Sequence, residues 1–265
     1  IGFPYVATVA LLLFESFTIE NLLLINITCV ISILCAELNK NKSTNLSTLK
    51  KISAHKIFTT LKSGVFVFPH YISIYALCIL DKILLKEYSN ESVLAQYAVG
   101  FALGQVVVLI TDSFNKVWGP FCLSGLSEGK IESLTVKAVK IGLTVILSIP
   151  IIYYSLSYFA RIYFPNEFSL SIDVAAIVSV VYLIQLIYFL IFPYLVNFKL
   201  IKFIGAISLL SSLFGASVML LLAINGEYSL LPLGILLTFI GQILGMLFVL
   251  RNYFMRQRTL TIYEE

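Results

Sequence analysis

Apolar runs long enough to cross a bilayer recur along this chain, and no other feature restricts its fold so tightly. The hydrocarbon core of a membrane is about 30 Å thick, so a spanning helix needs about 20 mostly apolar residues. Runs near that length fall at 2–17, 22–36, 64–85, 93–115, 134–159, 172–196, 203–224 and 229–250, eight in all. They are apolar on every face, without the period-two alternation over about 9–11 residues that marks a barrel strand. Only 12% of the 265 residues are charged and 59% are hydrophobic, against about 25% and about 45–50% in soluble domains. That balance excludes a soluble globular domain, a disordered chain and a disulfide scaffold. The expected fold is an all-α integral membrane bundle of about eight transmembrane helices.

The basic residues then orient the bundle, because inward-facing loops are enriched in Lys and Arg. Alternating the segments between the eight runs puts 15 of the 18 basic residues on one side: Lys40, Lys42, Lys50, Lys51, Lys56, Lys62, Lys116, Lys130, Lys137, Lys140, Lys199, Lys202, Arg251, Arg256 and Arg258. The other side holds three, Lys82, Lys86 and Arg161. The richer side, with the C-terminus, is expected to be cytoplasmic. The expected organisation is two helices over 1–36, a basic cytoplasmic linker over 37–63, a six-helix bundle over 64–250 and a cytoplasmic tail over 251–265. The linker lysines also suit anionic lipid headgroups. The outward segments are all short and leave no room for an external catalytic domain. The chain opens Ile1-Gly2-Phe3-Pro4, inside an apolar run and without Met, as expected of a fragment that has lost its start or of an incomplete gene product. If a complete protein had two six-helix halves, four spans would precede this chain.

A charge at membrane depth costs about 2.5–3.5 kcal/mol on insertion scales, so intramembrane ionisable residues are functional candidates. Asp81 and Lys82 end the third run, and Asp112 and Lys116 stand at i and i+4 near the end of the fourth. For both pairs two readings stay open, interfacial charges that snorkel to water or residues lining a water-filled cavity, and Asp112 and Lys116 could also simply pair with each other. The amides Gln96, Gln105, Gln185 and Gln242 likewise suit interhelical hydrogen bonds or a polar cavity. His70 beside Pro69 is either a buried, hydrogen-bonded imidazole or a group that titrates near neutrality. Pro69 and Pro193 are expected to kink their helices, and Gly241-x-x-x-Gly245 permits close helix approach. Asn90 reads as a helix N-cap. Cys29, Cys35, Cys78 and Cys122 show no metal-ligand or disulfide spacing. No phosphate loop, dinucleotide fingerprint, zinc-protease motif or nucleophile elbow occurs. No enzyme activity, metal, cofactor or nucleic-acid partner is expected.

Between about 61 and 128 the order of features becomes specific. Lys62-Ser63-Gly64 enters a run that carries Pro69 and ends in Asp81-Lys82-Ile83-Leu84-Leu85. Ala95-Gln96-Tyr97-Ala98-Val99-Gly100 follows, then Phe114-Asn115-Lys116-Val117-Trp118-Gly119-Pro120-Phe121. This resembles the bacterial polysaccharide and O-antigen flippases, the polysaccharide transporter branch of the multidrug/oligosaccharidyl-lipid/polysaccharide exporter superfamily. Members similarly show a Pro-containing seventh helix ending in Asp-Arg, a Gly-x-Tyr start to the eighth and an aromatic-x-Pro after it. Here Lys82 stands where Arg is usual, and Ala95-Gln96-Tyr97 replaces the Gly-x-Tyr form.

The resemblance implies the last eight helices of a two-bundle transporter of twelve or more. It implies a lipid-linked oligosaccharide on polyprenyl diphosphate as cargo and ion-coupled alternating access in a bacterial inner membrane, alongside other polysaccharide assembly proteins. On that reading Lys82, Lys116, Gln96, Gln105 and Gln185 serve the substrate cavity, and Asp81 or Asp112 couples to H+ or Na+. Competing readings are a multidrug or cation antiporter of the same superfamily, a membrane polysaccharide polymerase and an inactive truncated product.

Overall fold

In hydrocarbon a backbone amide has no partner except another backbone group, so a spanning segment must be helical or part of a closed barrel. The computed structural model describes residues 54–163 and 168–264, which form seven α-helices and one 3₁₀ turn, with no strand. The helices are α1 (Ala54–Tyr88), α2 (Glu91–Gly104), α3 (Val106–Ser127), α4 (Ile131–Tyr163), α5 (Ser169–Asn197), α6 (Ile201–Ile224) and α7 (Pro232–Glu264). The 3₁₀ turn Tyr228–Leu230 precedes α7. The chain divides between Thr60 and Leu61, and the packing below belongs to the second unit, Leu61–Glu265.

Among the described residues six segments are long and apolar enough to cross a membrane: Phe68–Tyr88, Glu91–Ser127, Ile131–Tyr158, Ser169–Asn197, Ile201–Ile224 and Tyr228–Arg256. The protein is an all-α, polytopic membrane protein. The runs expected at 2–17 and 22–36 lie outside the described residues, as does most of the segment 37–63. The end of that segment is helical, because α1 already begins at Ala54.

One run departs from the expected continuous helix. Glu91–Ser127 is built of two helices, α2 and α3, that meet at Gln105. Asn90 caps α2 by accepting from the Val93 amide at 3.0 Å. At the junction Gly104 lies against α5 so closely that a Cβ would come within 2.6 Å of the Val178 side chain and 2.8 Å of the Ala175 carbonyl oxygen. Gln105 Nε2 donates to the Tyr182 hydroxyl at 3.3 Å. Gln105 itself keeps α-region dihedrals (φ −64°, ψ −14°) and its amide donates to the Phe101 carbonyl at 3.0 Å, so the interruption is a single residue.

Helix α5 forms the axis. Apolar burial cannot hold helices together in lipid, where tails are as apolar as Leu; close packing and interhelical hydrogen bonds do. Ser171 Oγ donates to the Gln96 carbonyl at 2.7 Å, and Trp118 Nε1 to the Leu190 carbonyl at 3.3 Å. The Thr135 and Tyr194 hydroxyls lie 3.4 Å apart. These contacts tie α5 to α2, α3 and α4 respectively. Such bonds average about 0.6 kcal/mol each in membrane proteins, so several are needed. Beneath the Ser171 contact α2 and α5 nearly touch: a Cβ on Gly100 would lie 2.3 Å from the Ser171 carbonyl oxygen. Helices α6 and α7 approach as closely through Gly215 and Gly234, and the Gly241-x-x-x-Gly245 pair faces Ser211 and Ile207 of α6. Outward faces remain apolar, with Leu147 and Ile151 of α4 and Leu210 and Leu213 of α6 all more than half exposed. In water such a surface would aggregate; in a bilayer it meets acyl chains.

Candidate functional site

Four prolines lie inside helices of this bundle. Proline removes the amide that would bond four residues back, and Pro69, Pro120, Pro150 and Pro193 lie inside α1, α3, α4 and α5. Pro120 and Pro193 line a half-enclosed cavity of about 660 Å³, and so does Gln105 at the α2–α3 junction. Its walls come from α1, the junction, α3, α5 and α7. The lining follows helical spacing: Tyr71, Tyr75 and Cys78 on α1; Asp112, Asn115 and Gly119 on α3; Tyr182, Gln185, Phe189 and Phe192 on α5; Ile235 and Phe239 on α7. Amide, hydroxyl and aromatic groups predominate over the short aliphatics that fill the rest of the bundle.

His70 closes one side of the cavity. It is buried, with Nδ1 2.7 Å from Ser208 Oγ of α6 and Nε2 3.0 Å from the Tyr188 hydroxyl of α5. Both ring nitrogens are engaged, so the imidazole pins three helices together. The Tyr188 ring stacks on it at a centroid distance of 5.5 Å. Of the two readings left open for His70, the hydrogen-bonded one describes its geometry. Gln185 also lines the cavity, and its Oε1 is buried with no hydrogen-bond partner among the described residues.

Of the seven residues singled out from sequence, Gln105, Gln185 and Asp112 converge on this cavity. Lys82, Lys116, Gln96 and Asp81 stand outside its lining. Asp112 and Lys116 form no ion pair with each other among the described residues. Asp81 is fully buried, and its carboxylate accepts from the Tyr97 hydroxyl at 2.9 Å and from the Lys82 amide at 2.7 Å. Lys82 Nζ lies 3.1 Å from Asp81 Oδ1, donates to the Cys78 carbonyl at 2.7 Å and sits 4.3 Å above the Phe101 ring. These residues join α1 to α2 one helical turn beyond the cavity wall at Cys78. Gln96 contributes its backbone carbonyl to the Ser171 contact. Gln242 is fully buried in α7 with neither amide atom bonded among the described residues.

The lining tyrosines Tyr71, Tyr75 and Tyr182, and Asn115, were not singled out from sequence as site residues. Asn115 was visible as a polar residue in an apolar run. The tyrosines carry no such signal, because Tyr is ordinary on membrane helices. The described residues hold no group of three His, Cys, Asp or Glu that could bind a metal ion. Chemically the cavity offers neutral donors and acceptors, aromatic faces and one carboxylate. No family model matches the chain, and no curated protein or solved structure is significantly similar to it.

Proposed function

We propose that the chain belongs to a transporter that carries a lipid-linked oligosaccharide across a bacterial inner membrane, with the glycan head in this cavity and the polyprenyl tail left in the bilayer. The observation that carries the reading is the cavity itself, a polar and aromatic space at membrane depth inside an otherwise apolar bundle. Sugar hydroxyls cannot cross hydrocarbon unaided, since each unpaired polar group costs several kcal/mol. The Gln105, Asn115 and Gln185 amides can exchange hydrogen bonds with hydroxyls, and the Tyr71, Tyr75 and Tyr182 rings can stack on sugar faces. The motif resemblance in 61–128 supports the same cargo.

The diphosphate needs a cation, and the described residues of the cavity lining include no Lys or Arg. Lys116, one turn beyond Asp112 on α3, and Lys82, held beside Asp81, are the residues proposed for that task. Asp112 or Asp81 is proposed to couple transport to H+ or Na+, through alternating exposure of the cavity to the two sides. The C-terminus is cytoplasmic on this reading, and an interior-negative potential then favours outward movement of a diphosphate by about 2.3 kcal/mol per charge per 100 mV. No catalytic step is assigned to the chain.

One observation favours a second reading. Among the described residues Asp112 is the only Asp, Glu, Lys or Arg in the cavity lining, and tyrosine faces attract cations. An exporter of organic cations therefore fits the same walls. Surface-glycan display in cells that depend on this protein separates the two. Gln185→Leu and Lys116→Gln are each expected to lower display about tenfold or more, as loss of a buried hydrogen bond or charge contact does. Asp112-dependent efflux of a cationic dye, with glycan display unaltered in all variants, would instead establish the second reading.

A further inference from the structure

A second concavity lies on the lipid side of the bundle, away from the central cavity. It is a slot of about 500 Å³ between α4, α5 and α7. We propose that it holds one acyl chain of an anionic glycerophospholipid, whose phosphate rests on Arg251. The site stands independently of the transport reading above.

Three observations point to that occupant. The slot is apolar along its length, walled by residues such as Leu143, Ile146, Ile187 and Leu247. Its three polar lining groups, Thr135, Tyr194 and Arg251, gather at one end. The Thr135–Tyr194 contact of 3.4 Å joins α4 to α5 there, and Phe198, one turn past Tyr194, packs on Tyr253 and Phe254 just past Arg251, with ring centroids 5.1 and 5.3 Å apart. On α4 the lining runs from Thr135 to Ile146, about 16 Å at 1.5 Å per residue. Half of a hydrocarbon core is about 15 Å, so the slot is one leaflet deep.

Charge selects the headgroup. Arg251 is exposed and has no carboxylate partner among the described residues. Lys137, Lys140, Lys199 and Lys202 lie on α4 and around the α5–α6 turn at the same end of the antiparallel bundle. An arginine fork pairs well with phosphate oxygens, and basic pockets between membrane helices are sites for anionic lipid heads. Gly142 keeps the slot open at mid-depth: a Cβ there would meet only Leu190 Cδ1, at 3.7 Å. A larger side chain at 142 can therefore project into the slot without forcing the helices apart.

Native mass spectrometry of the full chain in detergent, titrated with phosphatidylglycerol or phosphatidylcholine of matched acyl chains, tests the site. Phosphatidylglycerol is expected to bind about fivefold more tightly, from about 1 kcal/mol per basic residue near the surface. Arg251→Gln should abolish that preference while leaving weak binding of both lipids. Lys86→Gln, at the opposite end of the bundle, should preserve it. Gly142→Phe should remove binding of both, and Gly142→Leu is the milder variant if the first does not fold. Equal binding of the two lipids by the wild-type chain overturns the proposal, as does a preference that survives Arg251→Gln. Binding undiminished in a folded position-142 variant, or stronger retention of a polyprenyl phosphate than of phosphatidylglycerol, also overturns it.

Discussion

Residue by residue, the polar groups inside this bundle divide into those that hold helices together and those that face the cavity. Asp81 belongs to the first kind, because Tyr97 and Lys82 together satisfy a carboxylate with no exposed surface. Removing one partner of a buried group leaves the other unpaired and costs about 1–3 kcal/mol. Tyr97→Phe is therefore expected to lower stability by about that amount and to lower the thermal midpoint of the detergent-solubilised protein. An unchanged midpoint would mean that the 2.9 Å contact contributes nothing. Gln185 belongs to the second kind: it lines the cavity, and its buried Oε1 has no hydrogen-bond partner among the described residues. Sequence alone made both residues visible as polar insertions in apolar runs but could not divide them. A helix that is apolar on every face gives no sign of which direction its rare polar residue points. Lys82 is one such residue: its ammonium lies against Asp81, the Cys78 carbonyl and the Phe101 ring, a turn away from the cavity lining.

Among the elements, the six apolar runs from residue 64 onward were legible because length in hydrocarbon is a demanding criterion. The six candidate spans fall on those runs. The interruption at Gln105 was not legible. A Gly-Gln pair inside an apolar run is compatible with an unbroken helix, and the close packing of α5 on Gly104 at that point is a tertiary contact. Close approach elsewhere follows the same logic. At Gly215 a Cβ would stand 2.1 Å from Thr238 Oγ1 and 2.4 Å from the Gly234 carbonyl oxygen, so α6 and α7 must separate to admit one. Gly215→Ala is expected to destabilise the fold by about 1–3 kcal/mol, in the range of overpacked cores. Gly119→Ala, whose Cβ would find only Asn115 Oδ1 at 4.0 Å, should leave stability unchanged. Thermal scans of the two purified variants make the comparison, and equal midpoints would contradict the packing described.

At the scale of the whole molecule, antiparallel helices sort the basic residues by end. Lys130, Lys140, Lys202 and Arg251 lie at one end of the described bundle, and Lys82, Lys86 and Arg161 at the other. The proposed orientation, with the crowded end cytoplasmic, predicts that Lys86→Cys reacts with a membrane-impermeant maleimide applied to intact spheroplasts. Lys202→Cys should react only after the membrane is opened. The native cysteines are replaced by Ala in both. The reverse pattern would invert the topology. Between the two ends lies the cavity on which the transport reading depends.

Movement of cargo through that cavity is measured most directly in proteoliposomes. Vesicles are loaded on both leaflets with a polyprenyl-diphosphate oligosaccharide, and an external lectin counts the accessible glycan over time. With the protein present, the inner-leaflet pool is expected to become accessible well above the rate in empty vesicles. Gln185→Leu should slow that exchange about tenfold, by loss of a buried hydrogen-bond partner. Exchange equal to that of protein-free vesicles, or exchange indifferent to substitution of the cavity residues, would contradict the assignment of this bundle to glycan transport.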